Sequence, residues 1–185
     1  MEVSMNQDIE KVLFTKEQIE QMVKKIADEI EKDFKDSDKK LMMVCILKGS
    51  LVFMADLIRE IESPLEIEFM QASSYGSGTK SSGMVNVNLD LKYEDLSNYN
   101  VVVVEDILDT GRTLSFLLGY IKDKGANSVK LCALLDKPDR RTCKIDIDYK
   151  GAQIPDEFVV GYGLDYDEKY RNLSYIGILK PEVYS

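Results

Sequence analysis

Apolar residues recur at spacings of three and four after Thr15, at Ile19, Met22, Val23, Ile26, Ile30 and Phe34, which predicts an amphipathic helix. Thr15 and Gln18 stand at capping-box spacing at its start. The mixed charge run 31–40 reads as a solvated helix end and turn. Leu41 to Leu47 is a continuous apolar run, Gly49 interrupts it, and Leu51 to Ile61 resumes with helical periodicity, so strand, loop and helix are expected in that order. Leu65 to Met70 and Met84 to Leu91 predict two more strands around a segment at 73–83 too rich in Gly and Ser to pack. The β-branched run Val101 to Val104, helical spacing from Leu114 to Ile121 closed by Lys124 and Gly125, and the run Val129 to Leu135 repeat the strand–helix–strand order.

That order implies parallel crossovers, and unbroken apolar runs imply strands covered on both faces. An α/β fold with a mostly parallel central sheet is expected. Short strands at Ile145–Tyr149, Phe158–Val160 and Tyr175–Leu179, without substantial helices between them, predict a small subdomain toward the C-terminus. No internal repeat or Pro-rich linker divides the chain.

Composition narrows the chemistry. With 185 residues and 44% hydrophobic content, one domain with a single buried core is expected. Asp and Glu number 33 against 24 Lys and Arg, a formal charge of −9, so no nucleic acid partner is expected. The chain has no histidine, which removes Ser-His-Asp hydrolases, Cys-His proteases and imidazole-ligated metal sites. Proton transfer falls to carboxylate, Lys, Tyr, Cys or the substrate itself. Cys45, Cys132 and Cys143 lack C-x-x-C spacing and read as free thiols in a reducing compartment. Neither a targeting pattern at the N-terminus nor an apolar run near the ~18 residues of a membrane span is present, so no membrane partner and a cytoplasmic location are expected.

The densest chemical signal is VVVVEDILDTGRTL at 101–114. A buried strand ends in Glu105 and Asp106, and Asp109, Thr110, Gly111, Arg112 and Thr113 form a loop that opens a helix. In an open α/β sheet, ligands bind at the carboxyl ends of the strands, and exposed amides at a helix N-terminus attract anions. Gly111 permits close backbone approach, and Thr110 and Thr113 supply hydroxyl donors. A phosphate is expected there. The two carboxylates would repel it and must serve sugar hydroxyls, a divalent cation or a proton acceptor role.

Residues 101–114 resemble the phosphoribosyl pyrophosphate signature of the type I phosphoribosyltransferases. Leu47-Lys48-Gly49, Leu135-Asp136-Lys137 and FVVGYGLDYDEKYR at 158–171 are similar to the 6-oxopurine branch, the hypoxanthine-guanine phosphoribosyltransferases, in order and spacing. The resemblance runs from about residue 10 to the C-terminus. It implies a single domain over 1–185, with a core at about 38–150 and a hood from the N-terminal segment, including the first helix, and about 151–185.

The resemblance also implies a reaction and roles. The family joins a purine to C1 of phosphoribosyl pyrophosphate and releases pyrophosphate, with Mg2+ as cofactor. Asp109 to Thr113, Arg112 included, would cradle the 5′-phosphate, and Glu105 and Asp106 would meet the ribose hydroxyls. Asp109 would sit near purine N7 as a general base. Lys48, Gly49 and Arg171 would meet pyrophosphate, often with a cis peptide between Leu47 and Lys48. Lys137, a donor only, would read O6 and so prefer 6-oxo over 6-amino bases. Phe158 would stack on the base, and the backbones of Val159 and Asp165 would read its edge. The Asp165 side chain, with Glu105 and Asp106, would hold the metal. Ser74 and Tyr75 match the closing loop over the reaction centre. Arg141 is a plausible neighbour of the site. A homodimer or homotetramer is implied as well. Two rivals stand beside this reading: a relative preferring xanthine, and a non-catalytic nucleotide sensor or RNA-binding regulator.

Overall fold

The computed structural model describes residues 5–74 and 85–185. Its strands are β1 (Ile9–Phe14), β2 (Lys40–Ile46), β3 (Leu65–Ser74), β4 (Val85–Leu89), β5 (Tyr99–Leu108), β6 (Ser128–Asp136), β7 (Tyr149–Gln153), β8 (Val159–Val160) and β9 (Ile176–Leu179). Its helices are α1 (Lys16–Phe34), α2 (Leu51–Glu60), α3 (Arg112–Asp123) and the short α4 (Pro181–Tyr184).

Six strands form the main sheet in the order β4-β3-β2-β5-β6-β7, parallel except where β4 pairs antiparallel with β3. Its two central strands are buried because both faces are covered. Leu41, Met43, Cys45, Val102 and Val104 pack under α1 and α2 with Ile19, Ile26, Phe53 and Leu57. Met42, Val44, Ile46, Val101 and Val103 turn to the other face and meet Leu117 and Ile121 of α3. Each such side chain contributes roughly 1.5–3 kcal/mol relative to exposure. The predicted capping box starts α1: Thr15 N donates to Gln18 Oε1 at 2.9 Å, and Gln18 N donates to Thr15 Oγ1 at 3.4 Å.

A second sheet, ordered β1-β9-β8, is antiparallel throughout. Its strand β1 has no counterpart in the hydropathy pattern, because Ile9–Phe14 does not alternate and pairs with β9 across two register shifts. The first helix, expected in the hood, instead packs against α2 and β7. Its apolar stripe is buried in one cluster with residues of α2, β2 and β7.

The strand expected at Ile145–Tyr149 is displaced to Tyr149–Gln153. Ile145 and Ile147 pack instead as partly buried side chains on the α3 face. Asp148 then sets the register: its Oδ2 accepts from Leu131 N at 2.8 Å, and its own N–H donates to Leu131 O at 2.9 Å, placing Tyr149 beside Cys132. Among the described residues, no helix is long and apolar enough to cross a membrane.

Candidate active site at the carboxyl ends of the strands

Because β2, β5 and β6 are parallel neighbours, the loops that follow them open on one edge of the sheet. These loops carry Lys48 and Gly49, Asp109 to Gly111, and Lys137. The segment 158–171 crosses above them. Together they enclose a cavity of about 350 Å³ lined by Lys48, Gly49, Asp106, Asp109, Lys137, Arg140, Phe158, Val159, Asp165 and Arg171. A smaller hollow of about 140 Å³, lined by Glu105, Asp109, Thr110, Gly111 and Thr113, shares Ile107 and Asp109 with it. A groove between α1 and α2 is larger, about 680 Å³, yet it is walled by side chains such as Glu20 and Arg59 and gathers none of these loops.

The smaller hollow lies at the start of α3. Gly111 takes φ +82°, which opens the helix without any side-chain cap and leaves its first amides free. Three of the carbonyls before Gly111 are held by donors from the segment 137–142. Leu108 O accepts from Lys137 N at 3.0 Å and from Arg141 Nη2 at 3.3 Å, Asp109 O accepts from Arg141 Nε at 3.0 Å, and Thr110 O accepts from Thr142 N at 3.1 Å. With carbonyls held on one side, the amides of the loop make an anion cradle.

The acidic pair lies within β5, which runs on to Leu108, rather than beyond its end. Ile107 and Leu108 still pair with Leu135 and Asp136. Adjacent strand residues point to opposite faces, so Glu105 lines the smaller hollow and Asp106 the larger cavity. Burial pushes the Glu105 carboxyl well up, and the neighbouring Asp106 charge adds to this. Burial raises Asp106 to about 6, against the downward pull of backbone amides, chiefly that of Ile107, and of Arg171. Both shifts favour an arriving cation or hydroxyl donor.

Leu47–Lys48 is a cis peptide. Lys48 Nζ donates to Glu168 Oε1 at 3.0 Å. Arg171 donates through Nη1 to Gly163 O at 2.8 Å, and its Nη2 is 2.9 Å from Asp165 Oδ1 and 3.2 Å from Glu168 Oε2. Its Nε is buried with no acceptor. The turn that carries these groups is conformationally unusual, with Tyr162, Asp167, Glu168 and Tyr170 all at positive φ.

Lys137 is 6% exposed, far from the solvated loop position its neighbours in sequence suggest. Its Nζ donates to Glu157 O at 2.8 Å and lies 3.5 Å from Asp156 Oδ1. Asp109 Oδ1 is buried without a hydrogen bond, and Arg140 Nε lies 3.4 Å away. Phe158 borders the same cavity and stacks on Tyr184.

Residues 11–167 match the family model described as phosphoribosyl transferase domain. The chain belongs to that family. It is 49% identical over 181 residues to a Staphylococcus aureus hypoxanthine-guanine phosphoribosyltransferase, covering 98% of this chain and 99% of that protein. It is 48% identical to the Listeria monocytogenes bifunctional protein TilS/HprT, of which it spans only 28% of the length. A crystal structure of a Staphylococcus aureus hypoxanthine phosphoribosyltransferase superposes with a TM-score of 0.93 at 48% identity, covering 100% of this chain and 99% of that one. The α/β fold expected from sequence is thus the phosphoribosyl transferase fold.

Within this phosphoribosyl transferase, most of the sequence-derived site residues converge on the two joined hollows. The Arg112 side chain does not: its Nε donates to Thr142 Oγ1 at 3.1 Å and it lines neither, which leaves this residue only its backbone amide in the loop. Ser74 pairs with Val85 at the end of the β3–β4 hairpin, and Tyr75 lies outside the described residues. Among the described residues, no three His, Cys, Asp or Glu side chains group closely enough to cage a metal.

Sequence places Arg141 only as a neighbour of this phosphoribosyl transferase site and does not single out Arg140. Arg141 bonds the buried Asp136 carboxylate at 2.5 Å while holding two loop carbonyls, so it welds β6 to the anion loop. Arg140 lines the cavity itself. Adjacent arginines in a loop carry no periodicity; contact with Asp136 distinguishes Arg141, and contact with Asp109 and Asp156 distinguishes Arg140.

Proposed function

We propose that the chain transfers the 5-phosphoribosyl group from phosphoribosyl pyrophosphate to hypoxanthine or guanine, giving IMP or GMP and pyrophosphate. The observation that carries this reading is the orphaned Asp109 Oδ1, buried beside a cavity that Lys137 and Phe158 also line. A carboxylate oxygen that makes no hydrogen bond and has only the distant Arg140 Nε beside it, a buried ammonium and an aromatic face are what a flat 6-oxopurine with N7–H would satisfy.

The anion loop from Asp109 to Thr113 holds the 5′-phosphate through backbone amides. Glu105 and Asp106, on opposite sides of β5, bracket the ribose hydroxyls. Lys48 and Arg171 leave their carboxylate partners for the pyrophosphate, and the free Arg171 Nε adds a donor. Lys137 donates to O6, while the backbones of Val159 and Asp165 read the opposite edge. The bond from C1 to pyrophosphate oxygen breaks, the purine N9 lone pair closes on C1, and the N7 proton passes to Asp109. Beside that proton transfer, stabilisation of the ribose cation carries much of the rate.

Asp165 and Asp106, which line the larger cavity together, are the carboxylates that would hold magnesium, which when bound would neutralise charge on the leaving pyrophosphate, whereas Glu105 faces the other hollow. The raised Asp106 carboxyl fits such a cation. Three free cysteines agree with a cytoplasmic location, and a homodimer or homotetramer is the assembly to test by sedimentation.

The test is stoichiometric formation of IMP and pyrophosphate from hypoxanthine and phosphoribosyl pyrophosphate. Equal amounts support the reading. Tight binding of nucleotide without product would favour the sensor.

A further inference from the structure

Phe158 is 37% exposed and forms part of the cavity wall. Two tyrosines from different parts of the chain hold its ring. Tyr184 stacks on it with centroids 4.8 Å apart and planes 24° from parallel, and Tyr166 meets it at 5.5 Å and 89°. The two tyrosine rings are themselves 6.5 Å apart. That is too close for them to occupy opposite faces of one ring, so Tyr184 covers one face, Tyr166 meets the rim, and neither covers the second face of Phe158. Neither tyrosine lines the cavity.

The backbone explains why Tyr184 reaches this place. Leu179 N donates to Phe158 O at 2.8 Å, and β8 and β9 pair antiparallel, so the chain leaves β9 next to Phe158. Lys180 N donates to Asp8 O at 2.9 Å and anchors the exit, and the short α4 turns Tyr184 back over the ring. Val183 and Tyr184 pack with Val160, Tyr170 and Leu179 in a cluster separate from the two main cores.

We propose that Tyr184 is a positioning residue for the purine: it fixes the Phe158 ring from behind so that the second face is presented to the base. This rests on the purine reading of the cavity. A stacking ring that must be ordered on binding loses affinity to entropy, and a ring already clamped does not. Because Tyr184 touches neither the sugar phosphate loops nor the acidic pair, its effect falls on the base alone.

The experiment is steady-state kinetics of Tyr184→Leu and Tyr184→Phe beside the wild type, varying hypoxanthine and phosphoribosyl pyrophosphate separately. Leucine keeps apolar packing and removes the stack. KM for hypoxanthine should rise about three- to tenfold, in line with the usual worth of an aromatic pair, with kcat and KM for phosphoribosyl pyrophosphate within twofold. Tyr184→Phe should restore the wild-type value. A change under twofold in the leucine variant, or an equal rise in both KM values, overturns the proposal. If Tyr184→Leu proves unstable, Tyr184→Met carries the same expectation. A wild type that makes no IMP defeats the functional reading instead, so the two failures are distinct.

Discussion

The Asp106 carboxylate rests directly against the Cα of Gly49: a Cβ built at residue 49 would stand 1.6 Å from Asp106 Oδ2. Gly163, at φ +101°, lies on the other side, where a Cβ would come within 2.1 Å of Gly49 O. The loop after β2, the acidic strand β5 and the turn carrying Asp165 and Arg171 are therefore packed with no room for a methyl group. Gly49→Ala should push Asp106 out of place. We expect kcat/KM for phosphoribosyl pyrophosphate to fall about 100-fold, the scale of a 1 Å misplacement, with far-UV circular dichroism unchanged. Activity within threefold of wild type would show that Asp106 can move without consequence.

Glu105 and Asp106 also set an unusual pH dependence of stability. Burial raises both carboxyls, Asp106 to about 6. A raised carboxyl in the folded state favours the protonated form, so its stabilisation is present at low pH and is lost as pH climbs from about 4 through the raised value. Paired carboxylates such as Asp33 and Glu66 are lowered by their hydrogen-bonded lysines and act in the opposite sense, below about 4.5. With no histidine in the chain, the interval from pH 5 to 7 reports chiefly on the acidic pair. The melting temperature of the ligand-free protein should fall between pH 5 and pH 7, and Glu105→Gln should flatten that slope. An identical slope in the variant would show that the pH dependence does not originate in the acidic pair.

Asp109→Asn keeps the shape of the side chain and removes its capacity to take a proton. Turnover should drop about 100-fold, the lower range for loss of a general base, while KM for phosphoribosyl pyrophosphate stays within threefold because the loop amides are untouched. Unchanged turnover would remove Asp109 from proton transfer and leave the purine's own acidity to drive the step.

The parallel core was legible because Leu41–Leu47, Val101–Val104 and Leu131–Leu135 are apolar on both faces, a pattern typical of a covered strand. The anion loop was legible because its chemistry is local: Asp109 to Thr113 are consecutive. What sequence did not show depends on contacts across the fold. Strand β1 exists because β9 supplies a partner 160 or more residues away. The weld made by Arg141 needs Asp136 and two carbonyls from another loop, and Lys137 is buried only because residues 156–157 close over it. Tyr184 gains meaning from a ring 26 positions earlier.

The most direct test offers hypoxanthine, guanine, xanthine and adenine separately, with magnesium and phosphoribosyl pyrophosphate, to the wild type and to Lys137→Gln. The amide of glutamine can accept as well as donate, so it should relax the preference that a buried ammonium enforces. We predict nucleotide from hypoxanthine and guanine but not adenine in the wild type, and a smaller hypoxanthine-to-adenine ratio of kcat/KM in the variant. Product from xanthine alone, or an unchanged ratio in Lys137→Gln, would contradict the assignment of Lys137 to the purine O6.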